Sequence, residues 1–250
     1  IPSGGLDCFG SGFLPAAFQG SVFQSGDSPV ANISPREKTP DLQSAKLALI
    51  KRLDRNLLGR LGRADQVESA IANYELAARM QLAVPDLMDL SAETQATQKL
   101  YGMDDSFANT RKYGRLCLVA RRMVERGVRF IELTCTGGNG DRWDQHSNLL
   151  NGHTKNAREV DRPIGGLLTD LKARGLLEDT LVWWGGEFGR TPCVQGSNGR
   201  DHNPYGYTIW MAGGGIKGGM TYGATDEIGF FAVENKFTIC RILVLMTIFR

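Results

Sequence analysis

Three short segments of the chain gather the residue types that could do chemistry. Trp143-Asp144-Gln145-His146-Ser147-Asn148 sets a carboxylate two residues from an imidazole. Gly185-Gly186-Glu187-Phe188-Gly189-Arg190-Thr191-Pro192 places Glu187 and Arg190 in a glycine-flanked loop, where backbone can approach a ligand closely. Asn198-Gly199-Arg200-Asp201-His202-Asn203-Pro204 repeats the pairing of carboxylate and imidazole in Asp201 and His202. A hard oxygen beside an imidazole nitrogen is a donor pair that a divalent metal accepts. Zinc and manganese take both ligand types, with calcium and magnesium as the oxygen-preferring alternatives. Arg190 adds a planar fork of donors matched to phosphate or sulfate. Each feature also has a plainer reading. An Asp-x-His pair can be a structural hydrogen bond, and a Glu187–Arg190 ion pair can simply hold a loop. The chain has 3 histidines, and two of them fall beside an aspartate. That coincidence favours the metal reading over either pair taken alone. His153 lacks a carboxylate neighbour and reads as a helix cap or surface residue.

These segments need elements to position them. Asp41 can cap a helix to about Leu58, with Leu42, Leu49, Leu53 and Leu57 turned inward. A second helix is expected from about Asp65 to Ala83, stopping before Pro85. Ser91 and Thr94 open a short third helix. Leu116, Val119, Ala120, Met123 and Val124 follow helical spacing in a fourth, ended by Gly127. Val128 to Cys135 (VRFIELTC) reads as a strand, Asp161 to Arg174 as a helix stopped by Gly175, and Thr180 to Trp184 and Tyr207 to Ala212 as further strands. That order predicts an α/β fold, a mostly parallel sheet flanked by helices. Ligand sites in such sheets form where strands end, and the three segments follow the three expected strands. Gly213 to Gly219 (GGGIKGG) lacks a phosphate-loop pattern and reads as a glycine-rich turn.

Composition narrows the remaining choices. The 29 basic and 27 acidic residues leave a net charge of +2, which gives no electrostatic case for nucleic acid. The 5 cysteines are widely spaced without a CxxC pair, so neither a disulfide framework nor a thiolate zinc site is indicated. Cys193 follows Arg190 closely, but no neighbouring base marks it as a nucleophile. The apolar tail Phe237 to Arg250 is short for a membrane span and carries Arg241. The first residue is Ile and no export signal precedes it, so the chain is expected to be part of a longer protein.

Several blocks resemble an uncharacterised bacterial family, domain of unknown function 1501. They are SGFLPAAFQG (Ser11 to Gly20), YELAARMQ (Tyr74 to Gln81), ARRMVERGVRFIEL (Ala120 to Leu133), WDQHSN, GGEFGRTP, GRDHNP and AGGGIKGG. The resemblance covers most of the chain, and GEFGRTP and GRDH are its most specific blocks. It implies an alkaline-phosphatase-like domain over residues 1–236, incomplete at its N-terminus, followed by a divergent tail at 237–250. Sulfatases and cofactor-independent phosphoglycerate mutases are relatives in that superfamily. The resemblance implies a metal site from Asp144, His146, Glu187, Asp201 and His202, with Asp201 as ligand or outer support. Arg190 would bind the anionic oxygens of the substrate. Phe188 stands where relatives carry a histidine ligand. The implied activity is metal-dependent hydrolysis of phosphate or sulfate esters, with a small anionic ester or a sulfated or phosphorylated glycan as partner. The alternatives are a non-catalytic glycan- or anion-binding domain of the same fold, or an inactive truncated fragment. A periplasmic or extracellular location is implied as well.

Overall fold

The structure is a computed structural model that describes residues 10, 12, 14, 19–24, 29–30, 33–62, 65–135, 143–186 and 188–236. It divides into two compact units, Ile1–Ala92 and Glu93–Arg250.

The first unit contains α1 (Pro40–Leu61) and α2 (Asp65–Met88). Thr39 is the N-cap of α1, its hydroxyl accepting from the Leu42 N–H, and Pro40 and Asp41 occupy the first turn. The expected cap at Asp41 is therefore displaced by two residues, since a proline suits the first helical position and the residue before it supplies the oxygen. Gln43 donates to Gln81 and Lys51 pairs with Glu75, which ties α1 to α2. Leu47, Ile50 and Leu58 lie half-buried on the stripe that includes Gln43. Leu42, Leu49, Leu53 and Leu57, expected inside, are 43–57% exposed. The helix carries leucines on two neighbouring stripes, and spacing alone does not say which one another helix covers. α2 runs through Pro85 instead of stopping before it, and the Asp89 N–H still bonds to the Pro85 carbonyl.

The second unit is built on α3 (Gln95–Leu100), α4 (Ala108–Glu125) and α5 (Leu149–Ala173). The expected cap of the short helix is present: Thr94 accepts from the Thr97 N–H. α4 packs on α5 and buries Tyr113, Cys117, Leu118, Ala120, Met123 and Val124 against a face carrying Val160, Leu167 and Leu171. Both helices end as anticipated at glycines. Gly127 (φ 80°) donates to Val124 and Val128 to Met123; Gly175 (φ 69°) donates to Lys172 and Leu176 to Leu171. These paired bonds satisfy the last carbonyls, and the left-handed glycine makes them reachable. Between the helices lies a buried ionic cluster. Arg121, 2% exposed, meets Glu93 and Glu125 at 2.7 Å and Asp170 at 3.0 Å, while Tyr101 donates to Asp170 and Arg174 pairs with Asp170 and Glu125. Burial first, and then Asp170's charge, push the Tyr101 hydroxyl well above its usual range.

The strands are short. β1 (Leu181–Trp184) pairs antiparallel with β4 (Trp210–Gly213), β2 (Gly189–Arg190) with β3 (His202–Asn203), and β5 (Ala224–Thr225) with β6 (Ala232–Glu234). A parallel sheet is not formed among the described residues. The expected strand at 128–135 pairs with nothing there, although α5 stands between it and β1 as a crossover would. After β1 no helix intervenes. Residues 185–209 fold as loops and the β2–β3 ladder, so the chain comes back beside β1 in the opposite direction. No helix among the described residues is long and apolar enough to cross a membrane.

Candidate metal centre

The loop just before α5 delivers Asp144 and His146. Two residues in the left-handed region bracket it, Trp143 at φ 65° and Asn148 at φ 51°. Each costs of order 1–3 kcal/mol, and such outliers persist only where surrounding contacts hold them. Trp143 is held by Cys135, which accepts from its ring N–H at 3.3 Å, and by edge contacts with His153 and Trp184. Asn148 is held by Asn198, whose side-chain oxygen accepts from its N–H.

The β2–β3 ladder delivers Arg190 and His202, which stand directly opposite one another. Side chains of such a pair share a face of the ribbon. Asn203, fully buried, anchors the ladder: its amide donates to the carbonyls of Phe230 and Gly206, and its oxygen accepts from the Tyr205 N–H. The connecting loop folds back on itself at a bridge between Gln195 and Gly199. Gly199 lies hard against the His146 carbonyl, where an added Cβ would come within 1.9 Å of the oxygen. The Arg200 N–H donates to the Gln145 carbonyl and the Leu149 N–H to that of Asn198. Glycine at 199 is thus what lets the two segments meet.

Their meeting brings three donor atoms together. His202 Nε2 is 2.9 Å from Asp144 Oδ1, His146 Nε2 is 3.1 Å from His202 Nε2, and His146 Nε2 is 3.2 Å from Asp144 Oδ1. Ligands at 2.0–2.2 Å from one ion, with angles between octahedral and tetrahedral, are about 3.0–3.4 Å apart. The observed triangle has that size, and its members are the group among the described residues that could hold a metal. Arg190 Nη1 lies 2.6 Å from Asp144 Oδ1, within ion-pair distance. The hydrogen bond from His202 first, and then Arg190, hold the Asp144 carboxyl below its usual range, which keeps it ionised as a ligand must be.

The other expected residues take different places. Asp201 does not join the triangle. Its Oδ1 accepts from the His202 N–H and lies 3.8 Å from His146 Nδ1, on the far side of that ring. That is a supporting position. Glu187 lies outside the described residues. Phe188 stacks on the His202 ring at 4.2 Å with the Arg190 guanidinium carbon 5.7 Å from its own ring centre, so it backs a ligand rather than acting as one. His153 is neither cap nor surface residue: it sits inside α5, with its ring against Trp143. Cys193 is exposed, and only its backbone carbonyl is engaged, by the Thr191 hydroxyl.

Gln195 is the neighbour that spacing did not flag. Its Oε1 lies 2.6 Å from His146 Nδ1. Asn203 and Trp143 likewise act by holding backbone in place. No residue type marks those roles in a linear sequence.

A family model described as "Protein of unknown function (DUF1501)" matches residues 2–247. The chain belongs to this DUF1501 family. No curated protein matches the chain, and no solved structure does. The family assignment covers both the segment of Asp144 and His146 and the segment of Arg190 and His202.

Proposed function

We propose that Asp144, His146 and His202 bind one divalent metal ion, zinc or manganese, and that this member of the DUF1501 family hydrolyses phosphate or sulfate esters. The observation that carries the reading is the convergence of one carboxylate oxygen and two imidazole nitrogens at ligand spacing. A mixed oxygen and nitrogen set suits these two metals better than the all-oxygen shells of calcium or magnesium. A bound divalent ion supplies Lewis-acid polarisation of an ester oxygen. The chain's own residues do the rest. Arg190, beside the donor triangle, meets the anionic oxygens that are not transferred. Phe188 fixes the tilt of His202, and Gln195 and Asp201 flank the outer edge of His146. An alkaline-phosphatase-like fold and export from the cytoplasm belong to the same reading and rest on the sequence resemblance.

Two measurements test it. Wild-type protein dialysed against zinc or manganese should retain one equivalent, and His146→Ala or His202→Ala should weaken retention by at least about 100-fold, since each removes a ligand outright. Metal-loaded protein should then cleave model phosphate or sulfate monoesters above a metal-only control, and Arg190→Ala should raise KM. If wild type retains neither metal and the alanine variants change nothing, the reading fails. The second reading, anion or glycan binding without turnover, is favoured by Phe188 in place of a further ligand. Retained metal with saturable binding but no cleavage across the ester panel would select it.

A further inference from the structure

We infer that Gln195 is a positioning residue for this donor set: its amide oxygen holds His146 as the Nδ1–H tautomer and so turns the Nε2 lone pair toward Asp144 and His202. The inference rests on the metal reading above and adds to it the device that prepares one ligand before any ion arrives.

A neutral imidazole carries one N–H, and a metal ligand must present the other nitrogen as a lone pair. An amide oxygen only accepts. With Gln195 Oε1 2.6 Å from His146 Nδ1, the proton belongs on Nδ1. The second group facing that nitrogen is also an acceptor, Asp201 Oδ1 at 3.8 Å. Both neighbours therefore favour the same tautomer, and no donor faces Nδ1 to oppose it. The opposite nitrogen, Nε2, is the one that enters the triangle.

The placement of Gln195 does not depend on its side chain. Its N–H donates to the Gly199 carbonyl at 2.9 Å and its carbonyl accepts from the Gly199 N–H at 3.0 Å. The turn is then fastened to the His146 segment through Asn198 and Arg200. A change of the amide alone removes the acceptor while the turn keeps its own bonds. Partners of this kind orient ligating histidines and typically alter metal affinity by about 10–100-fold.

The test reads the tautomer directly. Long-range proton–nitrogen spectra of metal-free, nitrogen-15 histidine-labelled protein should show His146 as Nδ1–H in wild type. Gln195→Leu should bring in the Nε2–H form and lower zinc affinity by about 10–100-fold, with the circular dichroism unchanged. Gln195→Glu restores an acceptor and should return both readouts to wild type or beyond. An Nε2–H ring in wild type, or wild-type tautomer and affinity in Gln195→Leu, overturns the inference. Because the tautomer is read without metal, a Gln195-dependent tautomer in protein that binds no zinc overturns the metal reading alone.

Discussion

His153 shows how a residue's surroundings reset its chemistry. Burial first, and Arg190's positive charge next, depress its imidazole below the usual value. Its ring edge meets Trp143, which in turn holds the start of the Asp144 loop. The folded state therefore favours neutral His153, and on acidification the unfolded chain takes up the proton first. Stability from this source is present above the unfolded value of about 6.5 and is lost as pH falls through the folded one. His153→Phe keeps a ring against Trp143 and removes the titration. Melting temperature should then decline less steeply between about pH 7 and about pH 5 than in wild type. Equal slopes would show that His153 carries no such linkage. At this scale the sequence displayed the ligand types well. It did not display Asp201's outward displacement, since adjacent residues in a strand point to opposite faces.

The turn at 195–199 and the loop at 143–148 form the site only as a pair. Their contact is so close that Gly199 is fully enclosed by the His146 carbonyl and the Ser147 N–H. Gly199→Ala should force them apart at a cost of about 1–3 kcal/mol, and should weaken zinc binding in parallel. Urea denaturation and zinc titration read the two effects. Gly218→Ala is the control, because its Cβ would meet open space and its backbone is ordinary. If Gly199→Ala matches that control in both measurements, the close approach is not what assembles the site. Among the elements, the ends of α4 and α5 were legible because a glycine in the left-handed region closes both. The parallel sheet was not, because strand direction depends on which neighbour supplies the ladder bonds, and the segment from β1 to β4 contains no crossover helix.

The whole molecule consists of two compact units, and all four tryptophans, Trp143, Trp183, Trp184 and Trp210, lie in the second. Tryptophan fluorescence therefore reports on that unit alone, while helical circular dichroism also sees α1 and α2. Two-state behaviour is not to be expected of such a chain. Ile50→Ala, in the half-buried stripe of α1, should shift the dichroism transition and leave the fluorescence midpoint in place. Leu118→Ala, in the core between α4 and α5, should lower the fluorescence transition by about 2–5 kcal/mol. Coincident shifts in both signals for both variants would show a single cooperative unit instead.

The donor types at Asp144, His146 and His202, and Arg190 beside them, were readable in the linear chain, because ligand chemistry is a property of side chains and short spacings. So were the caps at Thr94, Gly127 and Gly175, which depend on local backbone. Tertiary structure alone decided which donors share one triangle, since Asp144 and His202 are 58 positions apart and meet at 2.9 Å only through the Gly199 contact. It also decided that Gln195 caps His146, that Phe188 backs His202, and which leucine stripe of α1 is covered. These are contacts between distant segments, and a residue's type and spacing do not specify its distant neighbour.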